Sequence, residues 1–135
     1  METSEVTDFA KRYTAAWCSQ NAGSVAAFFS DTGSLTINGS VPAVGREAIT
    51  ASAQSFMTAF PDLIVSMDAL DRVDDHLVYR WTLAGTNNGP GGTGNAVRIQ
   101  GYEHWTFGAD KLIASSLGHF DQEEYQRQLT AGFGP

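Results

Sequence analysis

The stretch PDLIVSMDAL, residues 61–70, marks the point where the hydrophobic periodicity of the chain changes. Before it, apolar residues recur every three or four positions, which is the spacing of an α-helix. After Pro61, Leu63, Val65 and Met67 alternate with their neighbours, as the residues of a β-strand do. Proline also ends a helix, because it lacks an N–H group. The sequence therefore predicts helices in the first half of the chain and a sheet in the second.

The same periodicity predicts the other elements. The predicted helices cover a segment starting at residue 5, with Thr3 or Ser4 as its N-cap, and residues 24–29, 46–58 and 121–129. The predicted strands cover residues 34–38, a segment starting at residue 63, and residues 76–86, 96–107 and 112–120. The last three strands follow one another in the chain, joined by a long Gly-rich loop and then by a short turn at residues 108–110, and we expect such close neighbours to pair antiparallel. The fold class is α+β, a cone-shaped, curved antiparallel sheet covered by N-terminal helices, with a pocket inside the cone.

Length and charge exclude several classes of protein. The 135 residues, 42% of them hydrophobic, are enough for one domain, 1–135, whose tail after about residue 130 we expect to be frayed. Eight basic against fifteen acidic residues give a net charge of −7, which repels nucleic acid. The sequence contains no long apolar stretch and does not open like a leader, so we expect a soluble, cytoplasmic protein without membrane contact. A single cysteine and three scattered histidines predict no metal site.

Tyr13 and Trp17 lie one helical turn apart, on the face of the first helix that also carries Val6, Phe9 and Ala10. This face points at the sheet. The stripe can simply be core, but a buried phenol still needs a hydrogen-bond partner. Tyr13 is therefore predicted to be an oriented hydrogen-bond donor.

The strand VYRWTL, residues 78–83, leaves the direction of its two faces open. Arg80 shares one face with Val78 and Thr82, whereas Tyr79 and Trp81 lie on the other. If Arg80 points inward, its permanent charge requires a carboxylate, and Glu103 on the next strand is the best candidate. The alternative is that Arg80 and Glu103 are unrelated surface charges.

Glu103 stands on a strand face that is otherwise apolar, between Ile99, Trp105 and Phe107. Desolvation in such surroundings raises the pKa of a carboxyl group and makes it a general acid or a neutral hydrogen-bond donor. The alternative is a solvated carboxylate at a strand edge. Tyr13 and Glu103 are predicted to share one enclosed hollow beneath the N-terminal helices.

Asp121 follows the last predicted strand. It is either the N-cap of the final helix or an acid or base at the rim of the pocket. Ser116 has no His base with which to act as a nucleophile, and we assign it to the pocket wall.

Several segments resemble the nuclear transport factor 2-like superfamily and, within it, the SnoaL-like polyketide cyclases. They are KRYTAAW (11–17), NAGSVAAFFSDTGSL (21–35), PAVGREAI (42–49), GTNNGPGGTGN (85–95) and KLIASSLGHFDQEEYQRQL (111–129). The resemblance implies the cone-shaped α+β barrel fold. It also implies either an enzyme that performs acid/base chemistry on a carbonyl compound without a cofactor, or a non-catalytic ligand-binding or accessory domain of the same fold.

Compared with ketosteroid isomerases, Tyr13 matches the oxyanion-hole tyrosine and Glu103 a protonated aspartate, but the catalytic base falls at Ile37 or Asn38. Compared with limonene-type epoxide hydrolases, Arg80 matches the central arginine, but the two aspartates fall at Thr82 and Gly118. In the cyclases one aspartate is the acid/base, and it corresponds to Asp121 or to Gly118. Isomerase and epoxide hydrolase chemistry of the known kinds is therefore not expected.

The resemblance and the residues together lead to one hypothesis for the site. Tyr13 polarises a carbonyl group, Glu103 or Asp121 exchanges a proton, and Arg80 orients the acid or an anionic part of the substrate. A hydrophobic small molecule is the expected ligand. The expected wall of the pocket consists of Trp17, Phe56, Phe60, Trp105 and Ser116. We also expect a homodimer formed through the outer sheet face, carrying Tyr79, Trp81 and Tyr102.

Overall fold

The computed structural model describes residues 2–74 and 76–134, which form four helices and six strands. The helices are α1 (Thr3–Cys18), α2 (Ala22–Ala26), α3 (Arg46–Ala59) and α4 (Gln122–Ala131). The strands are β1 (Phe29–Ile37), β2 (Ala43–Val44), β3 (Ile64–Val73), β4 (His76–Thr86), β5 (Ala96–Phe107) and β6 (Ile113–Phe120). The bounds of β4 and β5 are those predicted from the alternation, and α3 extends one residue beyond its prediction.

The strands form one curved, unclosed sheet in the order β2-β1-β6-β5-β4-β3. The pairs β3–β4, β4–β5 and β5–β6 are antiparallel, as expected for strands that follow one another in the chain. In contrast, β1 lies parallel to β6, with Leu35 opposite Ser116. The expectation of a wholly antiparallel sheet is wrong for this pair, because most of the chain separates the two strands and no tight turn dictates their direction.

The start of β1 differs from the prediction of a helix over residues 24–29 and a strand over 34–38. Phe29 already pairs with Ile113, whereas the next paired residue, Ser34, lies opposite Ser115. The residues between Phe29 and Ser34 therefore form a bulge in the strand rather than a turn before it. A side chain at Gly33 would lie 2.8 Å from the carbonyl oxygen of Ile113, so this close approach requires glycine.

Helix α1 places its apolar stripe against the sheet. The buried residues of α1 are those of the predicted stripe: Val6, Phe9, Ala10, Tyr13, Ala16 and Trp17. The N-cap is Glu2 rather than Thr3 or Ser4, and its backbone N–H donates to the side chain of Glu5. Across the described residues, no helix has the length and hydrophobicity needed to span a bilayer.

Candidate functional site

A cavity lies on the concave side of the sheet, between the strands and helices α1, α3 and α4. Its empty space, counted out to its open mouth, is about 610 Å³. Aliphatic and aromatic side chains form nearly all of its wall, with Glu103 among them. The aromatic members are Trp17, Phe56, Tyr79, Trp81, Phe120 and Tyr125. Within residues 2–74 and 76–134, the side chains that line the cavity are therefore apolar apart from one carboxyl group and the hydroxyl and N–H groups of the aromatic residues.

The register of the central strands places the odd-numbered residues of β4 and β5 on the cavity side. Tyr79 lies opposite Glu103, and Trp81 lies opposite Gly101. A Cβ atom at Gly101 would lie 2.4 Å from the Trp81 ring and 2.5 Å from the carbonyl oxygen of His119. Gly101 thus allows the Trp81 ring to lie across β5 and form part of the wall.

Glu103 is held by three side chains from three elements. The Tyr13 hydroxyl of α1 lies 3.0 Å from Oε1 and 3.1 Å from Oε2. The Trp105 indole N–H donates to Oε1 at 3.1 Å, and the Ser116 hydroxyl of β6 donates to Oε1 at 2.7 Å. The predicted meeting of Tyr13 and Glu103 in an enclosed hollow is therefore present, and Ser116 is part of the same network.

The two carboxyl oxygens of Glu103 are not equivalent. Oε1 receives hydrogen bonds from Tyr13, Trp105 and Ser116, whereas within the described part of the chain Oε2 shares only the Tyr13 hydroxyl. A carboxylate oxygen has lone pairs for about two hydrogen bonds, so Oε1 is saturated. Oε2 is the atom that retains capacity to bind a ligand or to exchange a proton.

The electrostatics of Glu103 are dominated by burial, since its side chain is 7% exposed. Burial raises the pKa of Glu103 above its usual 4.5, and the hydrogen bonds from Ser116, Trp105 and Tyr13 oppose this rise. Burial and the nearby charge of Glu103 also raise the pKa of Tyr13 well above its usual 10. Tyr13 therefore stays protonated at neutral pH and acts as a donor toward Glu103.

The residues expected to form the wall divide into two sets. Trp17 and Phe56 line the cavity. Phe60, Trp105 and Ser116 are completely buried and are absent from the lining, so their expected places in the wall are wrong. Trp105 stacks on Tyr79 with ring centroids 4.8 Å apart. Tyr13 is likewise completely buried and absent from the lining, and its hydroxyl contacts Glu103, so it does not reach the open space where the expected role of polarising a substrate carbonyl would place it. These four residues lie behind the side chains that line the cavity.

Arg80 is not part of this site. Its Nε atom lies 3.1 Å from the carboxylate of Asp71, and both side chains are half-exposed. Its guanidinium also lies 5.7 Å from the ring centre of Tyr102. The expected Arg80–Glu103 pair is therefore wrong, because even-numbered residues of β4 point to the outer face while Glu103 points into the cavity.

Asp121 caps the final helix. It is the N-cap of α4, and its side chain accepts a hydrogen bond from the Glu124 N–H at 3.0 Å. Its side chain is exposed and does not line the cavity. The sequence left open whether Asp121 is a helix N-cap or an acid or base at the rim of the pocket, and the structure shows the N-cap.

The positions that the resemblance aligns with catalytic acids have other roles here. Ile37 lines the cavity with an aliphatic side chain, and Asn38 is bonded to Gln122 and to the backbone N–H of Phe120. Gly118 also lines the cavity and contributes no side chain. Glu103 is consequently the sole carboxylic acid among the lining residues that the structure describes.

The expected homodimer face carries Tyr79 and Trp81, and the expected wall does not include Phe120 or Tyr125. Both assignments to the outer face are wrong, since Tyr79 and Trp81 line the cavity and Tyr79 is 1% exposed. The alternation in β4 correctly divides the odd-numbered from the even-numbered residues, but it does not indicate which of the two sets points into the cavity. Phe120 and Tyr125 contact each other with ring centroids 5.3 Å apart. Phe120 lies in β6 and Tyr125 in α4, so neither strand nor helix periodicity predicts this contact.

The outer face of the sheet carries Tyr102 and the three histidines. His76 stacks on His104 with ring centroids 5.5 Å apart, and Tyr102 contacts His119 at 5.2 Å. Within residues 2–74 and 76–134, no three His, Cys, Asp or Glu side chains are grouped so that they could hold a metal ion.

Comparisons with known proteins agree with this architecture. A family model described as SnoaL-like domain matches residues 10–116. Among proteins with curated descriptions, none matches this chain in sequence. The structure of TsrD from Streptomyces laurentii is similar with a TM-score of 0.83 and 20% identity, over 97% of this chain and 98% of that chain.

Two further solved structures are similar. A hypothetical protein from Catenulispora acidiphila with a ketosteroid isomerase-like fold, in complex with trimethylamine, gives a TM-score of 0.80 at 15% identity, over 95% of this chain and 98% of that one. SalBIII, an epoxide hydrolase/cyclase-like enzyme in pyran ring formation in the polyether salinomycin, gives a TM-score of 0.77 at 15% identity. The match covers 91% of this chain and 95% of that one. At such identities the likeness shows the fold.

Proposed function

The chain belongs to the SnoaL-like domain family, and we propose that it is an enzyme of cyclase or isomerase type that transfers protons on a small carbonyl compound without a cofactor. The observation that carries this proposal is the single carboxyl group of Glu103 in an otherwise apolar cavity. A raised pKa makes Glu103 a stronger base than a carboxylate in water. The apolar wall excludes water from the reacting atoms.

In this mechanism Glu103 acts through Oε2. Its carboxylate takes a proton from the carbon next to the substrate carbonyl and returns it at the same or a different carbon. Tyr13, Trp105 and Ser116 are positioning residues, because their hydrogen bonds fix Oε1 and so orient Oε2. Of the two carboxyl groups expected to exchange a proton, we assign Glu103 to this role and leave Asp121 as a helix cap.

The proposal is tested by hydrogen exchange on simple ketones. Cyclohexanone and 1-tetralone are incubated with the protein in D₂O, and NMR follows the replacement of the protons next to the carbonyl. The expected result is catalysed exchange that saturates with ketone concentration. Ketones that protect the protein against heat but show no catalysed exchange would indicate the alternative, a non-catalytic binding domain of the same fold, and would overturn the proposal.

Self-association through the outer sheet face stays a prediction. Leu117 is 44% exposed and Tyr102 36% exposed on this face, beside the stacked His76 and His104 rings. An exposed apolar and aromatic surface of this kind favours a two-fold interface between copies of one chain.

Sedimentation velocity is expected to show a dimer at micromolar concentrations. Leu117→Asp should convert it to a monomer, because it places a charge within the interface. Val41→Asp is the matched control, since Val41 is 90% exposed in the connection between β1 and β2. A wild-type protein that remains monomeric at high concentration would contradict dimerisation.

A further inference from the structure

We infer that the cavity binds organic ammonium ions, with the Glu103 carboxylate as the counter-charge and the aromatic side chains of the wall surrounding the alkyl groups of the ion. The inference uses the same cavity as the proposed function, but it concerns the class of ligand and requires no turnover.

The first observation is the arrangement of the aromatic rings. Trp81 meets Phe120 at an interplanar angle of 66°, Phe120 meets Tyr125 at 72°, and Trp17 meets Phe56 at 71°. Six aromatic side chains line the cavity, and because neighbouring rings differ strongly in orientation, the aromatic surface surrounds the space from more than one direction. The face of an aromatic ring attracts a cation, most strongly where water is excluded. An aromatic wall therefore stabilises a cation whose charge is surrounded by alkyl groups and which has few or no N–H groups to form hydrogen bonds.

The second observation is the charge of the cavity. No Lys, Arg or His side chain is among the described residues that line it, so the carboxylate form of Glu103 has no cation beside it. Three neutral groups donate hydrogen bonds to Glu103, and they belong to Tyr13, Trp105 and Ser116. A buried charge is costly unless an opposite charge compensates it. An ammonium ion near Oε2 supplies that compensation.

Together these observations select the ligand class. An anionic ligand would be repelled by Glu103 and by the net charge of −7. A small inorganic cation prefers several oxygen ligands, and this wall offers mainly carbon. A trialkylated or quaternary ammonium group has the alkyl surface that an aromatic wall buries and the charge that Glu103 requires.

The test compares choline with 3,3-dimethylbutan-1-ol, which has the same shape without the charge. Isothermal titration calorimetry at pH 8 measures both ligands on the wild-type protein. We expect choline to bind at least about tenfold more tightly than the neutral alcohol, because the charge contributes both the ring attraction and the pairing with Glu103. Equal or tighter binding of the alcohol, or no measurable binding of choline, would overturn the inference.

Two variants identify the source of the preference. Glu103→Gln is expected to abolish the preference for choline while it preserves binding of the alcohol, whereas the exposed control Glu123→Gln should leave both affinities unchanged. Trp81→Leu should weaken choline more than the alcohol, and it serves as the second variant if Glu103→Gln does not fold. A preference for choline that survives both substitutions would contradict the assignment.

The outcomes separate this inference from the proposed function. Choline binding without exchange of ketone protons supports the ligand class and removes the catalytic proposal. Exchange of ketone protons without a preference for choline supports the catalytic proposal and removes the inference about the ligand class.

Discussion

Glu103→Gln is expected to lower the rate of ketone proton exchange by about 10²–10⁴-fold, the usual contribution of a positioned acid or base. Gln has the shape of Glu and can still accept the hydrogen bonds from Trp105 and Ser116 through its amide oxygen. It cannot take up a proton at neutral pH. The variant should therefore remain folded and lose the reaction.

The pH dependence of the wild-type rate provides an independent readout. The carboxylate is the reactive form of Glu103, and its fraction increases as the pH rises through the raised pKa. The rate should therefore increase with pH over a range that lies above the usual 4.5, and then become constant. Glu123→Gln is the control, because this side chain is exposed on α4 and outside the cavity. A full rate in Glu103→Gln, or a rate that falls as the pH rises, would contradict the role of Glu103 as the base.

Tyr13→Phe is expected to lower the free energy of unfolding by about 1–3 kcal/mol, the cost of leaving a buried polar group without its partner. The lost hydroxyl contacts both oxygens of Glu103, and Tyr13 itself is fully buried. Because this hydrogen bond opposes the rise in the pKa of Glu103, its removal should raise that pKa further. The pH at which the exchange rate reaches half its maximum should accordingly shift upward.

Urea denaturation and the pH–rate profile measure these two effects. Tyr102→Phe is the matched control, because it removes a hydroxyl from a partly exposed ring on the outer face. The control should change stability by less than about 0.5 kcal/mol, as surface substitutions usually do. A Tyr13→Phe variant as stable as the control, with an unshifted profile, would show that the phenol does not support Glu103.

Local patterns in the sequence predict the contact between Tyr13 and Glu103 that the structure contains. The stripe of α1 placed Tyr13 against the sheet, and the otherwise apolar face of β5 placed Glu103 toward the core. Both inferences depend on periodicity within one element, which the sequence displays directly. Burial and the raised pKa of Glu103 follow from the same pattern.

Features that depend on the pairing of distant segments could not be predicted in this way. The inward face of β4 was ambiguous because Val78 and Tyr79, on opposite faces, are both buried. The assignment of Tyr79, Trp81 and Arg80 therefore required the complete sheet. The parallel pairing of β1 with β6 likewise has no local signal, and this pairing brings Leu35 and Ile37 of β1 to the wall of the cavity.

The most direct test of the account is the titration of the Glu103 carboxyl carbon by NMR, with its signal assigned through its loss in Glu103→Gln. We expect a midpoint above the usual 4.5, because burial outweighs the hydrogen bonds from Tyr13, Trp105 and Ser116. A midpoint at or below 4.5 would mean that the carboxyl group is solvated or stabilised as an ordinary carboxylate, and it would contradict the proposal that Glu103 is a base strengthened by burial.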